Sequence, residues 1–366
     1  MPPGTTLTTT VNTFRQPARS LAARFPVTET DASGSEGGRL VDGFGRVHTD
    51  LRVSVTDRCN IRCFYCMPAE NIRFKPRHEL LSFEEIERFV RVAARLGVNK
   101  LRLTGGEPLV RHGLADLIAK LRAIAGIEDI ALTTNAMLLA EQAEGLRRAG
   151  LDRLNISLDT LDAKKFAEIT RRDVLDQVLR GIFEARRVGF ANIKLNAVAI
   201  RGLTESDIVP LAEFARQHGL KVRFLEYMPL DGDEAWTNDH VLSGEEILAM
   251  LAARFGPLAA IEPEDPAQPA SDYRYGDGSA EVGLIQPVSQ PFCHRCNRLR
   301  ITAEGQVRNC LFSVQEWDAR ALLRGGASDE AIAALIRASV GAKRQAHGIN
   351  SPEFVRPERA MFQIGG

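Results

Sequence analysis

Six cysteines, arranged as two trios, are the residues whose type and spacing most directly indicate chemistry. They are Cys59, Cys63 and Cys66 in the first trio and Cys293, Cys296 and Cys310 in the second. A structural zinc site is closed by four ligands, and neither trio has a fourth thiolate close by. Three thiolates on an iron–sulfur cluster leave one iron open to an outside ligand. We therefore expect two 4Fe-4S clusters. The alternatives are zinc or inert thiols for the first trio, and zinc with His294 for the second.

A Gly-Gly-Glu-Pro turn at residues 105–108 follows the second predicted strand. Its two glycines allow the backbone to approach a ligand closely, although such a sequence read by itself is only a turn. Together with the Cys-x3-Cys-x2-Cys spacing of the first trio, it resembles the radical S-adenosylmethionine (SAM) enzymes. The resemblance implies that SAM chelates the open iron through its amino and carboxylate groups. It also implies that an electron then cleaves SAM and yields a 5′-deoxyadenosyl radical.

The same resemblance implies which residues bind SAM. They are Tyr65, Gly106, Glu107, Ser157 and Met228. The glutamate is expected at the SAM amine, the serine at the carboxylate and ribose, and the methionine at the adenine. Without the resemblance, the tyrosine would pack over the cysteine loop and the methionine would fill the core.

Two arginines follow the first pair of the second trio in the segment FCHRCNRLRITAEGQVRNCLF, residues 292–312. Arg298 and Arg300 alternate along the chain, so both point the same way in an extended segment. Guanidinium groups suit phosphates or a purine edge, and a solvated pair of arginines is the alternative.

The motifs TGGEPL, SLDT and FCHRCNRLRIT narrow the resemblance to radical SAM enzymes that cyclise GTP, the first step of molybdenum cofactor biosynthesis. The similarity covers residues 46–366. It implies that the open iron of the second cluster binds guanine, and that residues 298–300, including Leu299, contact the guanine side. It also implies a carboxyl-terminal tail that reaches into the active site. The residues that it assigns to catalysis are Arg298, Arg300, Gly365 and Gly366.

The elements that must position these residues alternate between strands and helices. The predicted strands are 51–56, 100–104, 129–134, 153–159, 192–200 and 222–228. The predicted helices are 82–97, 114–125, 139–149, 175–188, 207–218, 243–255 and 328–341. A βαβα order indicates a parallel sheet or barrel, and six strands are fewer than the eight of a closed barrel. We expect an α/β fold: an incomplete (β/α) barrel of about six units over residues 39–229, then a cluster-binding region over 230–366.

Apolar and polar side chains alternate along the predicted strands, which is unusual for parallel strands buried on both faces. One edge strand could be polar on one face, but four or more strands cannot all be edges. We therefore expect the polar faces to line a wet lumen around a large polar ligand. The cations expected there are Arg52, Lys100, Arg102, Lys194 and Arg223. The resemblance implies that they bind the triphosphate of GTP. It also implies a nucleotide contact at Thr133, for which Thr134 is the alternative.

Composition limits the remaining possibilities. The 366 residues carry 47 Lys+Arg and 47 Asp+Glu, so bulk charge gives no case for nucleic acid or a membrane surface. No apolar run approaches the roughly 20 residues that a membrane helix needs. Residues 1–38 are rich in Thr, Ser, Gly and Pro and are expected to be a disordered leader, with an organellar transit peptide as the alternative. Closely spaced thiols favour a reducing compartment, and the cytoplasm is expected.

The resemblance also implies partners. It implies an electron donor such as flavodoxin or ferredoxin, a homodimer, and transfer of the product to cyclic pyranopterin monophosphate synthase. Two other hypotheses remain open from the sequence. One is a different radical SAM enzyme with an auxiliary cluster, such as a peptide maturase. The other is a non-catalytic iron–sulfur or redox-sensing protein.

Overall fold

Six parallel strands form the centre of one sheet in this computed structural model, which describes residues 38–233 and 235–365. They are β1 (Asp50–Ser54), β2 (Lys100–Thr104), β3 (Asp129–Thr134), β4 (Arg153–Ser157), β5 (Ile193–Ala199) and β6 (Lys221–Glu226). All six lie within two residues of their predicted positions. The predicted leader lies outside the described residues except for Gly38.

Helices connect these strands and cover one face of the sheet. The helices of the described part are α1 (Phe83–Arg95), α2 (Leu114–Arg122), α3 (Leu139–Arg148), α4 (Ala163–Thr170), α5 (Leu175–Arg187), α6 (Ile208–Gln217), α7 (Gly244–Phe255), α8 (Ala319–Arg324), α9 (Asp329–Gly341) and α10 (Met361–Ile364). The first one begins with a capping box, in which the Ser82 hydroxyl accepts from the Glu85 amide and the Glu85 carboxylate accepts from the Ser82 amide. Among the described helices, none combines the length and the apolar character that a membrane crossing requires.

The alternating faces of the strands divide the interior in two. Leu51, Val53, Leu101 and Leu103 are at most 1% exposed and belong to the main hydrophobic core beneath the helices. The polar side chains that alternate with them point the other way, into the space that the curved sheet surrounds. The expected α/β fold is therefore confirmed, and Arg52, Arg102, Thr133 and Asn196 line a cavity in this space.

Both edges of the six-strand unit are covered by strands from beyond residue 230. β9 (Glu281–Ile285) pairs in parallel with β6, and β10 (Arg298–Ile301) pairs in parallel with β1. The outer antiparallel strands are β7 (Leu258–Ile261), β8 (Ser271–Tyr275), β11 (Gln306–Arg308) and β12 (Trp317–Asp318). The sequence patterns predict none of these six strands. The sheet remains open between β12 and β7, which agrees with an incomplete barrel.

The pairing of β10 with β1 has a direct consequence for the lumen. Its register places Arg300 beside Arg52, and the next strand places Arg102 beside Arg52 on the other side. Arg298 and Arg300, which follow the first pair of the second trio, therefore lie on the same sheet as the inward cations of the barrel. The boundary between residues 229 and 230 stays a prediction, because strands from both sides share one sheet.

Candidate active site

The first cysteine trio lies in the loop after β1 and lines a cavity of about 180 Å³. All six cysteines are free thiols and half-buried. Among the described residues, no three His, Cys, Asp or Glu side chains stand close enough together to hold a single metal ion. Thiolates are the protein ligands of iron–sulfur clusters, so the residue types of each trio fit such a cluster.

Two glycines hold the cysteine loop against the end of β2. A β-carbon at Gly105 would lie 2.3 Å from the carbonyl oxygen of Thr56, and one at Gly106 would lie 2.4 Å from that of Arg58. The Gly106 amide donates to the Thr56 carbonyl at 2.7 Å, and the next amide donates to the Arg58 carbonyl at 2.8 Å. No side chain fits here, so the glycines set the position of the loop and line the cavity as well.

The Glu107 carboxylate joins the glycine turn to the end of β3. It accepts hydrogen bonds from the Leu109 amide at 3.0 Å, the Thr134 hydroxyl at 2.7 Å and the Asn135 amide at 2.7 Å. Burial raises its pKa to about 7, although these hydrogen bonds act in the opposite direction. The expected contact with the SAM amine stays a prediction. What the geometry adds is a positioning role for this carboxylate.

Asn135 extends this network to the cysteine loop, and the sequence analysis missed it. Its side-chain amide donates to the Asn60 side-chain oxygen at 2.8 Å and lies 3.8 Å from the Cys59 sulfur. The signal that could have found it is its place at the carboxyl end of a parallel strand, where ligand-binding residues of open α/β sheets gather.

Tyr65 is fixed by Asp159, a second residue that sequence reasoning missed as a site residue. The phenol donates to the carboxylate at 2.5 Å, and the carboxylate also accepts from the Val198 amide at 2.8 Å. Burial raises the pKa of Asp159 to about 6, and burial with the nearby carboxylate raises that of Tyr65. The predicted SAM residues Ser157 and Met228 line the same cavity.

The second trio lines a cavity of about 150 Å³ on the other side of the lumen. The two cavities have common wall residues, which are Thr133, Asn196, Leu225, Met228 and Met361. The wall of the second cavity also contains Arg52, Arg102, Arg298 and Arg300. The lumen thus brings both trios and four guanidinium groups around one continuous space.

Three inward-facing arginines have a nitrogen without a hydrogen-bond partner in the described part of the chain. The Nε atoms of Arg52, Arg102 and Arg223 are buried and have no hydrogen-bond partner there. Burial and the adjacent Arg300 lower the pKa of Arg52, and burial lowers that of Arg223 to about 10. A buried donor without a hydrogen-bond partner is costly. A polyanion in the lumen would supply the missing partners.

The predicted substrate residues Lys100, Lys194 and Leu299 lie outside the wall of the second cavity. Lys100 is about one-third exposed and forms an ion pair with Asp265. Burial and the nearby Arg223 lower the pKa of Lys194 to about 7, yet neither lysine belongs to the wall of the second cavity. The Leu299 side chain is 0% exposed in the hydrophobic core, which leaves only its backbone for a ligand.

The predicted catalytic tail is visible in part. The Gly365 carbonyl accepts a hydrogen bond from Arg300 at 2.6 Å, whereas Gly366 lies outside the described residues.

The thiols of the two trios differ in the direction of their pKa shifts. Burial raises the pKa of Cys59 to about 11. At Cys296 burial acts in the same direction, but Arg298 and Lys343 outweigh it and lower the pKa to about 6.

Two sequence families match the chain: the Radical SAM superfamily over residues 53–215 and Molybdenum Cofactor Synthesis C over residues 220–349. The GTP 3′,8-cyclase of Rhodopirellula baltica is 48% identical over 362 residues, which cover 98% of this chain and 99% of that protein. The GTP 3′,8-cyclase of Mycolicibacterium smegmatis is 47% identical over 336 residues, which cover 90% and 92%.

Solved structures show the same fold at low sequence identity. Streptococcus suis SuiB bound to S-adenosylmethionine has a TM-score of 0.56 at 16% identity, with 85% of this chain and 77% of that chain covered. The anSMEcpe protein with bound AdoMet has a TM-score of 0.55 at 14% identity, with 86% and 90% covered. At this identity the likeness establishes the fold alone.

Proposed function

The chain belongs to the GTP 3′,8-cyclases of the radical SAM superfamily, and we propose that it converts GTP to (8S)-3′,8-cyclo-7,8-dihydroguanosine 5′-triphosphate in molybdenum cofactor biosynthesis. The observation that carries this proposal is the common wall of two cavities that each contain one cysteine trio. A reactive group held in one cavity can act on a substrate held in the other only where the two spaces adjoin.

The residues of the first cavity fit a 4Fe-4S cluster with SAM. Three free cysteines would hold the cluster, and Tyr65, Gly106 and Ser157 would contact SAM. When bound, SAM supplies a 5′-deoxyadenosyl radical. The chain's own part is to fix the cysteine loop through Glu107 and Asn135 and to keep water out of the common wall with apolar side chains.

The residues of the second cavity fit GTP. Arg52, Arg102 and Arg300 project from three adjacent strands, so a triphosphate could bind several guanidinium groups at once. The second trio, with three sulfurs in the wall of the same cavity, would hold a second 4Fe-4S cluster near the guanine. Thr133 in the common wall would contact the nucleotide between the two ends. Clamping both ends of GTP restricts its reacting atoms to one geometry.

Other features of the enzyme remain proposals. We include an external one-electron donor such as flavodoxin or ferredoxin, a homodimer, and delivery of the product to cyclic pyranopterin monophosphate synthase. The six free thiols support a reducing compartment, for which we propose the cytoplasm. We also propose a boundary after β6, near residue 229, whereas the two family matches meet before β6, between residues 215 and 220.

The alternative of a peptide maturase is less well supported. Its fold would look the same, since the solved structures at 14–16% identity establish only the fold. A peptide, however, would not need three inward-facing arginines whose Nε atoms have no hydrogen-bond partner in the described part of the chain. A non-catalytic redox protein would explain the cysteines but not the adjoining second cavity.

Anaerobic turnover with SAM, a reductant and each of the four nucleoside triphosphates tests the proposal. We expect deoxyadenosine release coupled to a cyclic product with GTP alone, from protein that contains two clusters by iron count and Mössbauer spectroscopy. Equal turnover of all four nucleotides, or SAM cleavage that does not respond to GTP, would contradict it.

A further inference from the structure

Lys343 contacts both the second trio and β10 from a position outside the two cavities of the lumen. Its ammonium donates to the Cys296 sulfur at 3.4 Å and to the Arg298 carbonyl at 2.8 Å. The residue is 5% exposed, so water does little to screen its charge. Lys343 thus donates one hydrogen bond to the Cys296 sulfur and a second one to β10, the strand that carries Arg298 and Arg300.

The loop that carries Lys343 is held in place by a buried arginine near the start of the described chain. One Nη atom of Arg46 donates to the Cys293 carbonyl at 2.6 Å and to the Gln345 carbonyl at 2.9 Å. The other donates to the Arg344 carbonyl at 2.7 Å, and Nε pairs with Asp42 at 2.6 Å. Arg46 therefore connects the second trio to the two residues that follow Lys343.

Lys343 lies outside the wall of the cavity in which we propose that GTP binds. It lines an outer cavity of about 370 Å³, which contains all three sulfurs of the second trio in its wall. It is absent from the wall of the second cavity, where Arg298 and Arg300 lie. A change at Lys343 would therefore act on the cluster without removing a group that faces GTP.

The first trio differs in this respect. Within the described residues, no cationic side chain donates to its sulfurs: the Arg62 guanidinium donates to the Cys59 carbonyl rather than to the sulfur, and the Asn135 side-chain amide, which is neutral, lies 3.8 Å from the Cys59 sulfur. At Cys296 two cations donate, because Arg298 Nε lies 3.3 Å from the same sulfur as Lys343. Reduction adds one negative charge to a cluster, and hydrogen bonds and charges at the sulfurs set its potential.

We infer that Lys343 is a tuning and positioning residue of the second cluster, which it makes easier to reduce than the first. The inference rests on the proposed function, because it requires that the second trio binds a cluster. Arg298 shares the sulfur but also faces GTP, so Lys343 is the residue through which the potential can be changed separately. The effect of Arg46 is indirect, through the position of the lysine loop.

A redox titration of the reconstituted full-length protein, followed by EPR, tests the inference. The variants are Lys343→Met, which keeps the length and removes the charge, and Lys343→Arg, which keeps the charge. Lys164→Met is the matched control, because Lys164 is exposed on α4. The second cluster is identified as the one whose signal responds to GTP, and the first as the one that responds to SAM.

We expect Lys343→Met to change the oxidised-to-reduced ratio of the GTP-responsive cluster at least ~10-fold in favour of the oxidised form, which equals about 59 mV for one electron. Lys343→Arg should restore most of the shift, and the SAM-responsive cluster should not change. An unchanged potential, equal shifts of both clusters, or a second cluster lost from Lys343→Met alone would overturn the tuning role. A wild-type protein with one cluster, or with no GTP-responsive signal, would instead overturn the proposed function.

Discussion

Arg300 donates a hydrogen bond to the Gly365 carbonyl at 2.6 Å, and this bond ties the carboxyl-terminal segment to a barrel strand. Gly365 has a φ of +84°, and a β-carbon there would lie 2.9 Å from the Ser54 β-carbon and 3.0 Å from Thr104 Cγ2. The segment therefore passes close to the inward side chains of β1 and β2. Arg300 thus has two neighbours in the lumen, the tail and the substrate cavity.

Gly365→Ala should impair cyclisation because the position combines a left-handed backbone with insufficient space for a β-carbon. The conformational cost alone is about 1–2 kcal/mol, so we expect kcat/KM for GTP to fall by about tenfold or more. Gly145→Ala is the control, because a β-carbon at Gly145 would meet no atom within 4 Å. A variant with normal cyclisation would show that the tail tolerates displacement.

Cys59→Ser and Cys310→Ser should separate the two trios. We expect Cys59→Ser to abolish SAM cleavage, since its cavity contains the predicted SAM residues. Cys310→Ser should retain some SAM cleavage and lose cyclisation, because Cys310 lies in the wall of the substrate cavity. Deoxyadenosine and cyclic product are measured in the same anaerobic reaction. Normal cyclic product from Cys310→Ser would exclude a base-binding role for the second trio.

Glu226→Gln should destabilise the fold, because the carboxylate at the end of β6 connects three segments. It is 1% exposed and accepts from the amides of Gly244 at 3.2 Å and of Val288 and Ser289 at 2.9 Å. A carboxamide replaces one acceptor with a donor, and an unsatisfied buried group costs about 1–3 kcal/mol. Urea unfolding measures the loss. The exposed Glu264→Gln should leave the midpoint unchanged.

Lys194 should make stability rise with pH. Burial and the nearby Arg223 lower its pKa from 10.5 to about 7 in the folded state. Between these values the unfolded chain binds a proton that the folded chain does not, so the free energy of unfolding increases as pH rises from 7 towards 10.5. Solvent screening reduces the effect to the order of 1–3 kcal/mol. In Lys194→Met this part of the pH dependence should disappear. Parallel curves for the two proteins would contradict the lowered pKa.

The six parallel strands and the polar lumen could be predicted because local patterns encode them. Alternation along a strand is a property of neighbouring residues, and the side chains at Arg52 and Arg102 face inward for that reason alone. The cysteine spacing and the glycine turn are equally local. Family matches confirm the radical SAM assignment that these motifs indicate.

The remainder depends on contacts between distant parts of the chain. The Asn135 contact with Cys59 spans 76 residues and the Arg46 contact with Cys293 spans 247, and no local pattern encodes either one. The short strands β9 and β10 also escape prediction. They form sheet strands by pairing with β6 and β1, which are distant in the sequence, and the alternation of Arg298 and Arg300 by itself indicates only an extended segment.

The placement of β10 beside β1 affects the protein while it is still on the ribosome. β1 ends at Ser54 and its parallel partner begins at Arg298. At about 5–20 residues per second, that edge of the nascent barrel waits on the order of ten seconds or more for its neighbour. An uncovered strand edge exposes unpaired amide and carbonyl groups, which can pair with strands of other chains. Slow translation or early release before Ile301 should therefore produce aggregates rather than a stable amino-terminal half.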